Sequence, residues 1–222
     1  MVKKVALIHT GFALVDVLKN LFDEIIPDIE MVNILDDSLL REVLKEGKVT
    51  KPVIERMISY FKSAEYYKVD AILNVCSSVG EVVDIARMII NTPIIKIDEK
   101  MAESAVEKAT NIGVAATLQS TLDPTCRLLE KKANENGKKI VLTRTLCPGA
   151  FEELMNGNSK KHDEIVLDAI NKLSGQVEIV VLAQGSMARL ADSLNRELSS
   201  RVFSSSRSGV LEVKRILEAK KM

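Results

Sequence analysis

Ala71-Ile-Leu-Asn-Val-Cys-Ser-Ser-Val-Gly80 is the stretch from which the fold can be read. Ala71 to Val75 is a strand-like run with apolar residues on both faces, and it stops at a cysteine, two hydroxyl residues and a glycine. Glu81-Val-Val-Asp-Ile-Ala-Arg-Met-Ile-Ile90 then carries apolar positions at helical spacing. In an open α/β sheet, a polar cluster between a strand end and a helix start lies at the carboxyl edge, where ligands bind. The N–H groups of the following helix favour an anion or a thiolate there. Cys76 is therefore a candidate reactive thiol. The plainer reading, a small apolar residue closing a strand, stands beside it.

Outward from this stretch the same alternation continues in both directions. Upstream, strands are expected at Lys4 to His9 and Ile29 to Ile34. Helices are expected at Phe12 to Phe22, Ser38 to Lys48 and Lys51 to Tyr67. Downstream, Pro93 to Ile97 is a fourth strand, followed by a helix to about Thr110. The pattern then starts again. Strands are expected at Asn111 to Thr117, Lys139 to Thr143 and Val177 to Ala183, with Val202-Phe203 strand-like. Helices are expected from the Gln119 to Asp123 region to about Asn136, from Phe151, over His162 to Leu173, over Ala188 to Leu198, and over Val210 to Lys220. The loop Arg144 to Ala150 and the Ser-rich segment before Val210 read as strand-end loops.

Strands alternating with helices imply a mostly parallel sheet with right-handed crossovers. The order also repeats. Val5-Ala-Leu-Ile-His-Thr10 matches Ile112-Gly-Val-Ala-Ala-Thr117 at an offset of 107, and Ile72 to Ser78 matches Val180 to Ser186 at 108. Two matches at nearly one offset suggest two similar α/β halves; chance likeness between buried strands is the alternative. If the halves are equivalent, Cys76 and Gln184 line opposite walls of one cleft.

Composition narrows the function. Of the 222 residues, 46% are apolar, and Lys+Arg and Asp+Glu both number 31, so the net charge is zero. That balance argues against a general nucleic-acid or anionic-membrane binder. No apolar run approaches a membrane span, and the first residues lead straight into a strand rather than a signal peptide. Three cysteines without metal-ligand or CxxC spacing, and only two histidines, make a metal site an unfavoured expectation. The expectation is a cytoplasmic protein with reduced thiols. No GxGxxG or GxxxxGK[ST] motif is present, so nucleotide binding has no direct support.

Several motifs taken in order resemble the aspartate/glutamate/hydantoin racemase superfamily. They are Cys76-Ser77-Ser78, the strand Ile112 to Thr117, the turn Leu182-Ala-Gln-Gly-Ser-Met187, and Val202 to Gly209 before the last helix. The resemblance covers essentially the whole chain. It implies an α/β fold of two pseudo-symmetric lobes, each a small mostly parallel sheet flanked by helices, with the active site in the cleft between them. The lobes would comprise residues 1–100 plus 200–222, and residues 101–199. In that superfamily one cysteine from each lobe faces the substrate α-carbon. One thiolate removes the proton, the opposing thiol delivers one, and no cofactor takes part. A small carboxylate-bearing carbon acid and a homodimer are likewise implied.

By position Cys76 is the first-lobe thiol. Ser77, Ser78, Thr117, Thr121, Gly185 and Ser186 are the matching anion-binding residues, with His9 and Thr10 at the same edge. The second-lobe cysteine falls at Gln184, where an amide can donate hydrogen bonds but cannot move a proton near neutral pH. That departure weakens two-base racemisation. It brings forward single-thiol decarboxylation of a malonate-like acid, as in the superfamily's arylmalonate decarboxylases, and thiol addition to an unsaturated diacid, as in its maleate isomerases. A binding protein that kept the fold without the chemistry is the alternative of a different class.

Cys147, in Leu146-Cys-Pro-Gly-Ala-Phe151, is a candidate second thiol from a neighbouring loop, or a small residue before a Pro-Gly turn. Cys126 reads as helix packing. Arg144 and Arg189 are candidate carboxylate partners or surface ion pairs. His162-Asp163 reads as a surface pair at a helix start.

Overall fold

The computed structural model describes residues 2–219, with Asp192 by its backbone alone. The chain divides into two compact units, Met1–Ile97 with Ser206–Met222, and Asp98–Ser205. Each is built on a four-stranded, all-parallel sheet.

In the first unit the strands are β1 (Lys3–His9), β2 (Ile29–Leu35), β3 (Ala71–Asn74) and β4 (Ile94–Lys96), in the order β2-β1-β3-β4. The central strand β3 is buried at all four positions, whereas the edge strand β2 is only half-buried. That contrast is why β3 reads as an apolar run broken only by Asn74. Helices α1 (Val15–Ile25), α2 (Ser38–Glu46), α3 (Lys51–Tyr66) and α4 (Val82–Ala86) belong to this unit. Alternate residues of each strand enter two different cores. Ala6, Ile8 and Ile72 pack with Val53, Met57 and Phe61 of α3. Val5, Leu7 and Leu73 pack with Leu18 and Phe22 of α1.

The second unit repeats the plan. Its strands β5 (Asn111–Ala116), β6 (Val141–Leu146), β7 (Ile179–Leu182) and β8 (Val202–Phe203) lie in the order β6-β5-β7-β8. Its helices are α5 (Glu99–Lys108), α6 (Gln119–Glu135), α7 (Ala150–Met155), α8 (Ser159–Ser174) and α9 (Arg196–Ser199). Helix α10 (Ser205–Ala219) then returns to the first unit, where Val210, Val213 and Leu217 join the α1 core. Gly209 lets this helix approach: a Cβ there would stand 2.8 Å from the Ile97 carbonyl oxygen.

The repeat extends to individual backbone bonds. Val75 N–H donates to the Ile8 carbonyl and Ala183 N–H to that of Ala115, while Ile72 bonds Pro93 and Val180 bonds Arg201 in the same way. Even the acids at the opposite edge correspond. The Asp70 carboxylate accepts from Lys4 N–H, and that of Glu178 from Asn111 N–H. Chance likeness between apolar strands would not reproduce these pairings.

Several sequence expectations shift. The helix expected from Glu81 to Ile90 is α-helical only over Val82–Ala86, then tightens through i to i+3 bonds at Met88 and Ile89. Strand β6 runs to Leu146, so Arg144 to Leu146 belong to an edge strand rather than a loop. Its mixed exposure hid the strand period. The segment expected as one helix from Ala188 to Leu198 is a 3-10 stretch, Gly185–Ser193, followed by the short α9. The Ser-rich segment is not a loop from Ser205 onward, since those serines open α10. The expected end of that helix at Lys220 lies outside the described residues. Among the described residues, no helix is long and apolar enough to cross a membrane, and no group of three His, Cys, Asp or Glu could hold a metal ion.

Candidate active site

The carboxyl edge of the first sheet is organised around Cys76. Strand β3 ends at Asn74, Val75 makes one more ladder bond, and Cys76 keeps an extended backbone as the cap of a 3-10 turn, Ser77–Val79. The Asn74 amide donates from Nδ2 to the Cys76 carbonyl at 3.0 Å, fixing the direction in which the chain leaves the sheet. Cys76 is half-buried. Burial pushes its thiol pKa above the ordinary cysteine value. Polar groups of Thr10, Ser78 and Val79 beside the sulfur partly offset that effect. The Val79 N–H bonds the Cys76 carbonyl at 3.4 Å and so closes the turn.

Strand alternation sorts the neighbouring residues. Cys76 packs with the core that contains Ile8 and Ile72, and Thr10, two residues beyond Ile8, reaches the same face. His9 lies on the other face. Its Nε2 donates to Asn33 Oδ1 at 2.9 Å, and Asn33 is in register with Leu7. His9 is 1% exposed, burial disfavours its charged form and lowers its pKa, and Nδ1 has no partner among the described residues. Cys76, Thr10 and Ser78 are thus brought together, Ser77 is buried in the same turn, and His9 points elsewhere.

The corresponding edge of the second sheet places Gln184 where the repeat puts Cys76. The N–H and hydroxyl of Thr117 both donate to Gln184 Oε1, at 2.6 and 3.0 Å. A backbone N–H can bond only the amide oxygen, so the side-chain orientation is fixed and Nε2 is the end left to donate. Gly185 and Ser186 follow in the 3-10 stretch, and Thr121 is buried in the first turn of α6.

Cys147 is 1% exposed, and burial pushes its thiol up to about 11. It packs with Ala115, Ala150 and Val166. Cys126 is fully buried in α6, and burial raises its pKa against the opposing effect of the Arg144 guanidinium. Arg144 also pairs with Asp123 at 3.3 Å. Arg189 pairs with Asp163 at 2.6 Å. The Asp163 carboxylate also accepts from Nδ1 of His162, which is wholly buried rather than on the surface as expected. Two contributors escaped the sequence reading. Asn74 and Lys96 were legible only as single polar residues inside apolar strands.

The sequence profile of the Asp/Glu/Hydantoin racemase family matches residues 6–213. The chain belongs to that family. A sequence search of curated proteins finds no match. Among solved structures, a glutamate racemase isoform from Bacillus anthracis is 18% identical, with a TM-score of 0.73 over 98% of this chain and 82% of that one. An allantoin racemase from Klebsiella pneumoniae is 17% identical, with a TM-score of 0.72 over 98% and 89%. A variant of arylmalonate decarboxylase in a sulfate-associated form is 14% identical, with a TM-score of 0.59 over 96% and 92%. At these identities the neighbours establish a shared fold.

Proposed function

We propose that the chain is a cofactor-independent isomerase acting on a small carboxylate-bearing carbon acid through the Cys76 thiol. Membership of the racemase family supports this reading. The observation that carries it is the placement of Cys76, half-buried where the chain leaves β3 for the Ser77–Val79 turn, with polar groups of Thr10, Ser78 and Val79 beside its sulfur. A cysteine that merely closes a strand has no need of such polar neighbours. A thiolate that must accept a proton from carbon does.

The cycle begins with Cys76 as thiolate. Its sulfur takes the proton from the substrate carbon, and the electron pair moves into the adjacent carboxylate or carbonyl as an enolate. A proton then returns to carbon. Inversion of that carbon needs a donor on the opposite face. In a one-thiol site water is that second donor, and the hydroxide left behind takes the proton from the Cys76 S–H, which restores the thiolate. Ser77 and Ser78, in the turn that follows Cys76, supply hydrogen-bond donors for a carboxylate or enolate oxygen.

A second reading is decarboxylation of a malonate-like acid. There the bond from carbon to one carboxylate breaks and CO2 leaves. The resulting enolate takes its proton from the Cys76 S–H, and the thiolate is re-protonated from water. The likeness to arylmalonate decarboxylase supports keeping this chemistry in view.

The test is protection of the thiol. In native protein, Cys76 should be alkylated by iodoacetamide faster than Cys126 and Cys147, and small diacids or amino acids that bind the site should slow it. Alkylation of Cys76 at the rate of Cys126, unaffected by every acid tried, would remove the basis for the reading.

A further inference from the structure

Lys96 is a buried charge for which the chemistry above has no use. It ends β4, is 5% exposed, and lies in register with Asn74. Asn74 and Cys76 are two residues apart, and Cys76 packs with the core cluster that contains Ile72 and Ile94, so Lys96 is on the face of the sheet that Cys76 occupies. Its Nζ donates to Asp84 Oδ2 at 2.9 Å. Asp84 sits on α4, the five-residue helix that follows the Cys76 turn.

A helix this short does not hold itself together. Val82, Val83 and Ala86 pack it into the core, and two polar ties fasten it to β4. Lys96 reaches up to Asp84, and Arg87 reaches back to the Ile94 carbonyl, at 3.0 Å from Nε and 2.7 Å from Nη2. Two residues separate Val79, whose N–H bonds the Cys76 carbonyl, from Val82 at the start of α4, so the Ser77–Val79 turn moves with the helix. Burying an ammonium ion costs more than burying a methionine of similar length, even with a carboxylate partner. What the pair contributes is geometry.

We propose that Lys96 is a positioning residue for Cys76: its pair with Asp84 docks α4 on β4 and thereby holds the Ser77–Val79 turn, and its N–H groups, against Cys76. The inference rests on Cys76 being the working thiol.

The experiment follows the pH dependence of Cys76 alkylation, read by peptide mass spectrometry, in wild type, Lys96→Met and Asp84→Asn. Positioning predicts that both substitutions raise the midpoint, by about 0.5–1 pH unit, because each undocks α4. A direct effect of charge predicts opposite signs, since one variant removes a positive charge and the other a negative one. Opposite shifts, or unmoved midpoints in folded variants, overturn the proposal. If Lys96→Met does not fold, the sign of the Asp84→Asn shift decides alone: upward supports positioning, downward or none refutes it. A wild-type Cys76 no more reactive than Cys126 would refute the functional reading. The comparison of midpoints would still decide the role of Lys96.

Discussion

Thr117 holds Gln184 by two bonds to one atom, its N–H and hydroxyl both meeting Oε1. Thr10 stands 107 positions earlier, and its hydroxyl lies beside the sulfur of Cys76, 108 positions before Gln184. The same scaffold threonine thus orients a thiol in one unit and an amide in the other. Thr117→Val keeps the backbone bond and removes the hydroxyl. The amide then loses one of two restraints, and kcat/KM on any substrate identified should fall about 5–20-fold, with roughly 1 kcal/mol or less lost in stability. Steady-state kinetics beside urea unfolding check both. An unchanged kcat/KM would mean that the orientation of Gln184 does not matter to the reaction.

Thr10→Val removes a hydroxyl beside the Cys76 sulfur. Burial already raises this thiol, so losing that polar neighbour moves it further up. Alkylation of Cys76 at pH 7.5 should slow severalfold, while the amount of thiol released on unfolding stays the same.

His9 predicts a pH dependence of stability. Its folded pKa lies below the ordinary histidine value because burial disfavours the charged ring, with the Asn33 bond opposing. As pH falls below about 6.5 the unfolded chain takes up the proton first. The His9 contribution is therefore complete above that pH and is lost as pH drops toward the folded pKa. Urea midpoints at pH 7.5 and 5.5 should differ more in wild type than in His9→Gln.

Gly113 tests the packing of the second unit. A Cβ there would meet Leu173 Cγ and Cδ2 at 2.6 Å, so Gly113→Ala should cost about 1–3 kcal/mol. Leu173→Ala in the same chain should relieve part of that cost. Strict additivity in urea unfolding would contradict the contact.

The strands were legible because central parallel strands bury both faces, so β3 and β7 stand out as apolar runs closed by polar turns. The repeat was legible for the same reason. The edge strand β6 was misplaced by two to three residues because half-exposed positions carry no clear period. Helix α10 opens on serines that composition assigns to a loop, and only its packing through Gly209 against Ile97 explains their helical state. At the site, Cys76 announced itself by its position. That Thr10 faces its sulfur while His9 turns to Asn33 follows from strand alternation once the register is known. The pairs Thr117–Gln184 and Lys96–Asp84 join residues 67 and 12 positions apart, and no local pattern encodes them.

The central claim is that Cys76 moves protons at a carbon acid. Proton exchange in D2O, followed by NMR over a panel of amino acids, hydantoins, malonates and unsaturated diacids, tests it most directly with wild type and Cys76→Ala side by side. The account predicts at least one compound whose α-hydrogen exchanges, whose configuration changes or which loses CO2 with wild type only. Turnover that persists in Cys76→Ala, or acids that bind the folded wild type and never react, would contradict it.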